Sequence, residues 1–124
     1  MIIATDRHGL RYVPARGKLD TAADCNVVAL DLVIRAGLGS HLEDIIEPMS
    51  FAGLDGVKFR PTKKLSLDWR LPNDHRVRTT RFFVARTSPY ELLYGRQWMQ
   101  ENRTLHVQLD ALLVTVQKKR SRSK

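Results

Sequence analysis

Two short segments of this chain carry the residue types of carboxylate chemistry: Lys18-Leu19-Asp20-Thr21-Ala22-Ala23-Asp24 and Glu91-Leu92-Leu93-Tyr94-Gly95-Arg96. An aspartate followed by a hydroxyl residue and two small residues suits a tight backbone turn, where little bulk obstructs a second copy of the same turn. One such motif in a chain of 124 residues implies two chains, each giving one Asp20 to a dyad. Two like charges at hydrogen-bond distance do not both ionise readily. The pair therefore shares a proton, and the raised apparent pKa belongs to the dyad, which is then acid and base at once.

Length and charge frame that chemistry. The chain is long enough for one domain with a core and too short for two lobes. It is 43% hydrophobic and has no apolar run long enough to span a membrane. Its start, Met1-Ile2-Ile3-Ala4-Thr5-Asp6, lacks the basic flank and apolar length of a secretory signal, so a soluble, cytoplasmic protein is expected. Cys25 is the single cysteine and reads as a small core residue rather than a nucleophile. Of the 21 basic residues behind the net charge of +8, five lie in Lys118-Lys119-Arg120-Ser121-Arg122-Ser123-Lys124. Without them sixteen basic residues face thirteen acidic ones, leaving +3. Residues 118–124 are thus expected to be a disordered basic tail on a domain of residues 1–117. Composition leaves open whether that tail binds RNA, serves as a nuclear address or is a solvated end. Arg76, Arg78, Arg81, Lys63 and Lys64 have few aromatics among them, which argues against a stacking platform for single strands.

The elements that must position the two motifs are mainly strands. Leu65, Leu67, Trp69 and Leu71 alternate with polar residues, as do Leu105, Val107 and Leu109, the period of strands with one buried face. Residues 2–4 and 10–13 flank the turn-rich Thr5-Asp6-Arg7-His8-Gly9, which suggests an N-terminal hairpin. Residues 77–85 read as a strand that stops before Ser88-Pro89. Residues 29–36, apolar at Ala29, Leu30, Val33 and Ile34 and followed by Gly37, suit a short helix with a glycine cap. Residues 96–101 suit a second. The expectation is a mostly β domain with one or two short helices.

In this order the parts resemble the retropepsins, the dimeric aspartic proteases of retroviruses and retrotransposons, and are most similar to domains of fungal retrotransposon polyproteins. Asp20-Thr21-Ala22-Ala23-Asp24 matches the family's Asp-Thr/Ser-Gly-Ala-Asp signature, and Leu92-Leu93-Tyr94-Gly95-Arg96 its apolar-apolar-Gly-Arg segment. Gln97-Trp98-Met99 matches the start of its short C-terminal helix, and the resemblance covers roughly residues 8 to 110. It implies a retropepsin-like closed β-barrel, the acid protease fold in a single lobe, with the active site at a homodimer interface. It also implies an extended polypeptide substrate, such as a retroelement polyprotein, and neither metal nor organic cofactor.

The same resemblance assigns roles. Asp20 is the catalytic carboxylate, one copy taking a proton from water while the protonated copy polarises the scissile carbonyl. Thr21 bonds across the interface to the partner's backbone and orients the dyad. Asp24 and Arg96 pair near the cleft, where planar bidentate geometry suits arginine. Ala22, Ala23 and Asp24, with Gly53 and Gly56 of a flap within residues 51–64, contact substrate. Gly53 and Gly56 offer positive φ and close backbone approach, or are loop punctuation, and no flap tip residue stands out. Residues 104–116 are the candidate for a terminal strand shared between subunits.

Two positions depart from the family pattern. Ala22 stands where glycine is usual, and an added methyl there crowds the water site; a shift of about 1 Å in a positioned group costs on the order of a hundredfold in rate. Lys18 stands where an apolar residue is usual and is costly on an inner strand unless its amine reaches solvent or a partner. Both favour the alternative of a catalytically weak or inactive dimerisation and peptide-binding module. A further alternative is a nucleic-acid-binding domain acting through the basic tail. His8, His41, His75 and His106 lack metal-ligand spacing, and neither a phosphate loop nor a Gly-x-Ser-x-Gly elbow is present.

Overall fold

Strand periodicity decides most of this chain. The computed structural model describes residues 4–5, 11–74, 76–103 and 112–115. Strands β1 (Ala4–Thr5), β2 (Arg11–Ala15), β3 (Gly17–Leu19) and β4 (Val27–Ala29) lead into helix α1 (Leu30–Arg35). Next come β5 (Glu43–Asp44), β6 (Phe51–Ala52), β7 (Lys58–Phe59) and the two longest strands, β8 (Lys63–Arg70) and β9 (Arg78–Ala85). The described chain ends with β10 (Leu92–Tyr94), helix α2 (Arg96–Glu101) and β11 (Leu112–Thr115). Nine strands form one sheet in the order β1-β2-β11-β8-β9-β4-β10-β3, with β5 also on β8, and this sheet curls into a nearly closed barrel. β6 and β7 make a separate two-stranded ribbon.

Alternation in β8 and β9 sends Leu65, Leu67, Trp69, Phe82 and Val84 inward while Ser66, Asp68 and Arg81 stay exposed. β4 and β10 are buried at every position, as their unbroken apolar runs require of strands inside the sheet. Helix α1 buries Leu32 and Val33 and stops where Gly37 takes φ +71°. The Leu38 N–H reaches the Val33 carbonyl at 2.9 Å, closing a Schellman-type end. Ile34, apolar in the helical pattern, is 63% exposed. The N-terminal pairing of Ala4 with Tyr12 and Thr5 with Arg11 is antiparallel; its connecting residues 6–10, the strand expected over residues 105–109 and the basic tail lie outside the described residues.

The terminal strand is described in part, residues 104–111 and 116 lying outside the described residues. The resemblance gives residues 104–116 to a sheet shared between subunits, whereas Leu112–Thr115 sits inside the chain's own sheet. Leu113 lies opposite Pro14 on one side and Arg70 on the other, and Val114 opposite Val13 and Trp69. Leu112 and Val114 are 1% and 0% exposed, so the strand buries its apolar face only between β2 and β8. Both edges of this described part pair within the chain.

Aromatic rings fill the barrel. Tyr94 is edge-on to Trp69 and Phe82 at 5.6 and 5.4 Å and 4.4 Å from Trp98. Among the described residues its hydroxyl has no hydrogen-bond partner, and burial raises its pKa well above the usual phenol value. An orphaned buried hydroxyl costs stability that a hydrogen atom in its place does not. Tyr94→Phe is therefore expected to stabilise the fold by about 1 kcal/mol in urea unfolding.

Candidate active site

Parallel pairing of β3 with β10 brings the two motifs together. Leu92, Leu93 and Tyr94 lie beside Gly17, Lys18 and Leu19, so both turns leave the sheet at the same edge. The Asp20 N–H donates to the Tyr94 carbonyl at 3.0 Å and fixes the start of the Asp20 turn. Within that turn the Ala23 N–H reaches the Asp20 carbonyl at 3.1 Å, and the Ala22 N–H donates to Asp20 Oδ1 at 2.9 Å. This Asx-type closure is what an aspartate before small residues favours. It leaves Asp20 only 9% exposed.

Gly95 sets how closely the second turn approaches. A Cβ there would lie 2.7 Å from the Cys25 carbonyl oxygen and 2.9 Å from that of Ala23. The Gly95 N–H donates to Asn26 Oδ1 at 2.9 Å, and the Arg96 N–H to the Ala23 carbonyl at 2.9 Å. Arg96 then divides its guanidinium. Nη2 binds Asp24 Oδ1 at 2.7 Å and Nη1 lies 3.4 Å from the Thr21 carbonyl. The expected pair is present, though its geometry is forked between carboxylate and turn rather than bidentate on Asp24. Both side chains are about half exposed, which limits the pair itself to roughly 1 kcal/mol or less.

The ribbon of β6 and β7 closes over this turn. Asp24 holds its base, the Asp24 N–H donating to the Ala52 carbonyl at 2.7 Å and the Ala52 N–H to Asp24 Oδ2 at 3.1 Å. At its tip, Asp55 and Gly56 take φ +54° and +77°, and the Asp55 N–H donates to Asp20 Oδ2 at 2.7 Å. A Cβ at Gly56 would lie 3.8 Å from the Ala22 methyl, so the ribbon tip sits at contact distance over Ala22. Of the readings open for Gly53, positive φ is not the one used: its φ is −96° and it is buried against Phe59. Beside the tip is an apolar cavity of about 290 Å³ whose walls include Val27, Leu54, Val57, Pro89 and Leu93.

The surroundings of Cys25 suppress its thiolate. Burial, and secondly the Asp24 charge, pushes its thiol up to about 11 from 9.0. Because the folded pKa exceeds the unfolded one, the thiol's contribution to stability is complete below pH 9 and is lost as pH rises toward 11. Alkylation by iodoacetamide at pH 8 is expected to run on the order of a hundredfold slower in the folded than in the urea-unfolded chain. Melting temperature should fall less between pH 9 and 11 in Cys25→Ala than in the wild type.

Asp20, Ala22, Asp24, Arg96 and Gly56 thus converge on one face. Thr21 is exposed, with no hydrogen bond from its hydroxyl among the described residues. Ala23 does not join them by its side chain, which is fully buried with Cys25, Val27 and Leu93. Lys18 is exposed on the edge strand β3, its ammonium 5.6 Å from the centre of the Tyr90 ring, so it meets the condition that its amine reach solvent or a partner. The sequence reading misses Asn26 and Asp55. Asp55-Gly56 is a dipeptide that favours left-handed turns and was the available signal for the tip; nothing local marks Asn26. Among the described residues no cluster of His, Cys, Asp and Glu could hold a metal ion, and no helix is long and apolar enough to cross a membrane. No family model matches the chain, and neither does any curated protein or solved structure.

Proposed function

We propose that this chain is one protomer of a homodimeric aspartic endopeptidase that hydrolyses extended polypeptide, with Asp20 of each copy forming the catalytic dyad. The observation that carries the reading is the Asp20 turn: a nearly buried carboxylate, held through Oδ1 by the Ala22 N–H and braced by the Gly95-Arg96 segment. Preorganised positioning of this kind is what water activation needs. In the dyad, the charged copy takes a proton from water, the protonated copy polarises the carbonyl, and the proton is returned to the leaving amine. The apolar cavity beside the tip takes a substrate side chain, and the ribbon of β6 and β7 acts as the flap. A retroelement polyprotein is the proposed source of substrate.

A second reading rests on a specific contact. The Asp55 N–H occupies Asp20 Oδ2, so in the single chain the ribbon sits where the attacking water and the partner carboxylate belong. A chain that keeps this contact binds or dimerises without turnover. Incubation of the purified protein with a diverse peptide pool between pH 4 and 7, with sedimentation at the same concentrations, separates the two. Cleavage that tracks the dimer supports the protease; a dimer silent throughout this range supports the binding module; and a monomer that cleaves, or no dimer at all, overturns the two-subunit site.

A further inference from the structure

A cavity of about 600 Å³ lies between β9 and α2, beside Asp24. Its wall on the β9 side is a sheet edge. β8 pairs with β9 from Arg78 to Phe83, whereas β4 pairs only with Phe83, Val84 and Ala85. On the β4 side, the Phe83 N–H donates to the Asn26 carbonyl at 2.9 Å and the Arg81 carbonyl accepts from Asn26 Nδ2 at 3.3 Å. Backbone groups of alternate residues point the same way along a strand, so the N–H of Arg81 and both backbone groups of Thr79 also face this edge. Among the described residues no strand covers it.

Side chains around the cavity differ in how far their polar groups are used. Asp24 accepts from Arg96 and Ala52, Glu101 from Gln97 at 3.4 Å, and Thr80 from the Trp69 indole at 2.9 Å. By contrast, among the described residues Arg78 Nε is buried without a partner, and Arg78 makes one ion pair, to Asp74 at 3.3 Å. Arg81 is exposed and its guanidinium makes no ion pair or hydrogen bond among the described residues. The exposed Arg81 guanidinium beside an open strand edge matches one kind of occupant: an extended chain with a carboxylate side chain on the same face. Nucleic acid is a poorer match, because Trp69 and Trp98 are 1% and 7% exposed and offer no face for stacking.

We propose that an extended, acidic polypeptide segment adds to the free edge of β9, bonding Thr79 and Arg81 through its backbone and delivering a carboxylate to the Arg81 guanidinium. This site goes beyond the protease reading, and because its readout is binding it stands or falls separately from Asp20. The probe is a fluorescein-labelled octapeptide of alternating serine and valine with one central glutamate, set against the same peptide with glutamine.

The glutamate peptide is expected to bind about tenfold more tightly. That difference disappears in Arg81→Gln, an exposed substitution whose unchanged melting temperature confirms the fold, and shrinks in 0.5 M salt. N-methylation of alternate peptide nitrogens weakens binding, and titration moves the Thr79 and Arg81 amide resonances. Asp20→Asn leaves every one of these readouts unchanged. Equal affinity for the two peptides, no binding of either at 1 mM, amide shifts confined to other residues, or tighter binding of an oligouridylate that displaces the peptide would each overturn the proposal.

Discussion

Asp20→Asn is expected to lower peptide hydrolysis by on the order of 10³- to 10⁴-fold, because an amide neither shares the dyad proton nor takes one from water. The structure adds a second consequence that a purely catalytic role does not produce. Asp20 accepts two backbone N–H groups, Ala22 on Oδ1 and Asp55 on Oδ2. Asparagine has one acceptor oxygen and turns an NH2 group toward the other donor. The Ala22 contact closes the turn locally, so the asparagine oxygen stays there and the Asp55 N–H loses its acceptor. The ribbon tip then loosens at a cost of about 1 kcal/mol in local stability.

Amide exchange measures this directly. Exchange at Asp55 should quicken several-fold in Asp20→Asn while exchange in β8 and β9 is unchanged. Loss of activity together with a loosened tip supports Asp20 both as the catalytic group and as the anchor of the closed ribbon. Full activity in the variant removes Asp20 from the chemistry, and unchanged Asp55 exchange removes it from the anchor.

How much of this was legible in the sequence depended on distance along the chain. Local patterns were easy. The alternation around Leu65, Leu67 and Trp69 foretells β8, and residues 96–101 form α2 with the expected bounds. The Asp24 and Arg96 pair is made, although its forked geometry depends on the Thr21 carbonyl, which no side-chain pattern records. Long-range placement was harder. An apolar, alternating C-terminal strand suits an intermolecular sheet as well as the chain's own, and no local pattern foretells that Leu112–Thr115 lies between β2 and β8. Gly53 and Gly56 illustrate the same limit. Both are glycines in one loop, yet one serves crowding against Phe59 and the other a positive φ at the tip.

Gly95→Ala is expected to be more damaging than a methyl added at Gly37, Gly39, Gly53 or Gly56, and the reason is crowding rather than backbone conformation. Gly95 has φ −85°, a value any residue adopts, so an alanine there carries no conformational strain of its own. Its Cβ, however, would stand 2.7 and 2.9 Å from the carbonyl oxygens of Cys25 and Ala23. These are backbone atoms and cannot swing away as a side chain would. The Ala23 oxygen is also held by the Arg96 N–H, and the Gly95 N–H by Asn26. Relief therefore means separating the two motif turns and breaking those bonds, at a cost of at least about 3 kcal/mol.

Gly37→Ala provides the opposing control. Gly37 has φ +71° with nothing within 4 Å of a built Cβ, so it incurs only the left-handed penalty of about 1–2 kcal/mol. Urea melts of both variants should rank Gly95→Ala below Gly37→Ala, and nearly equal midpoints would show that the two motif turns are not in close contact. Since the Asp20 N–H is held by the carbonyl of Tyr94, next to Gly95, separation of the turns also moves the carboxylate. Gly95→Ala should accordingly lose cleavage even at temperatures where it remains folded, whereas Gly37→Ala, remote from this contact, keeps it.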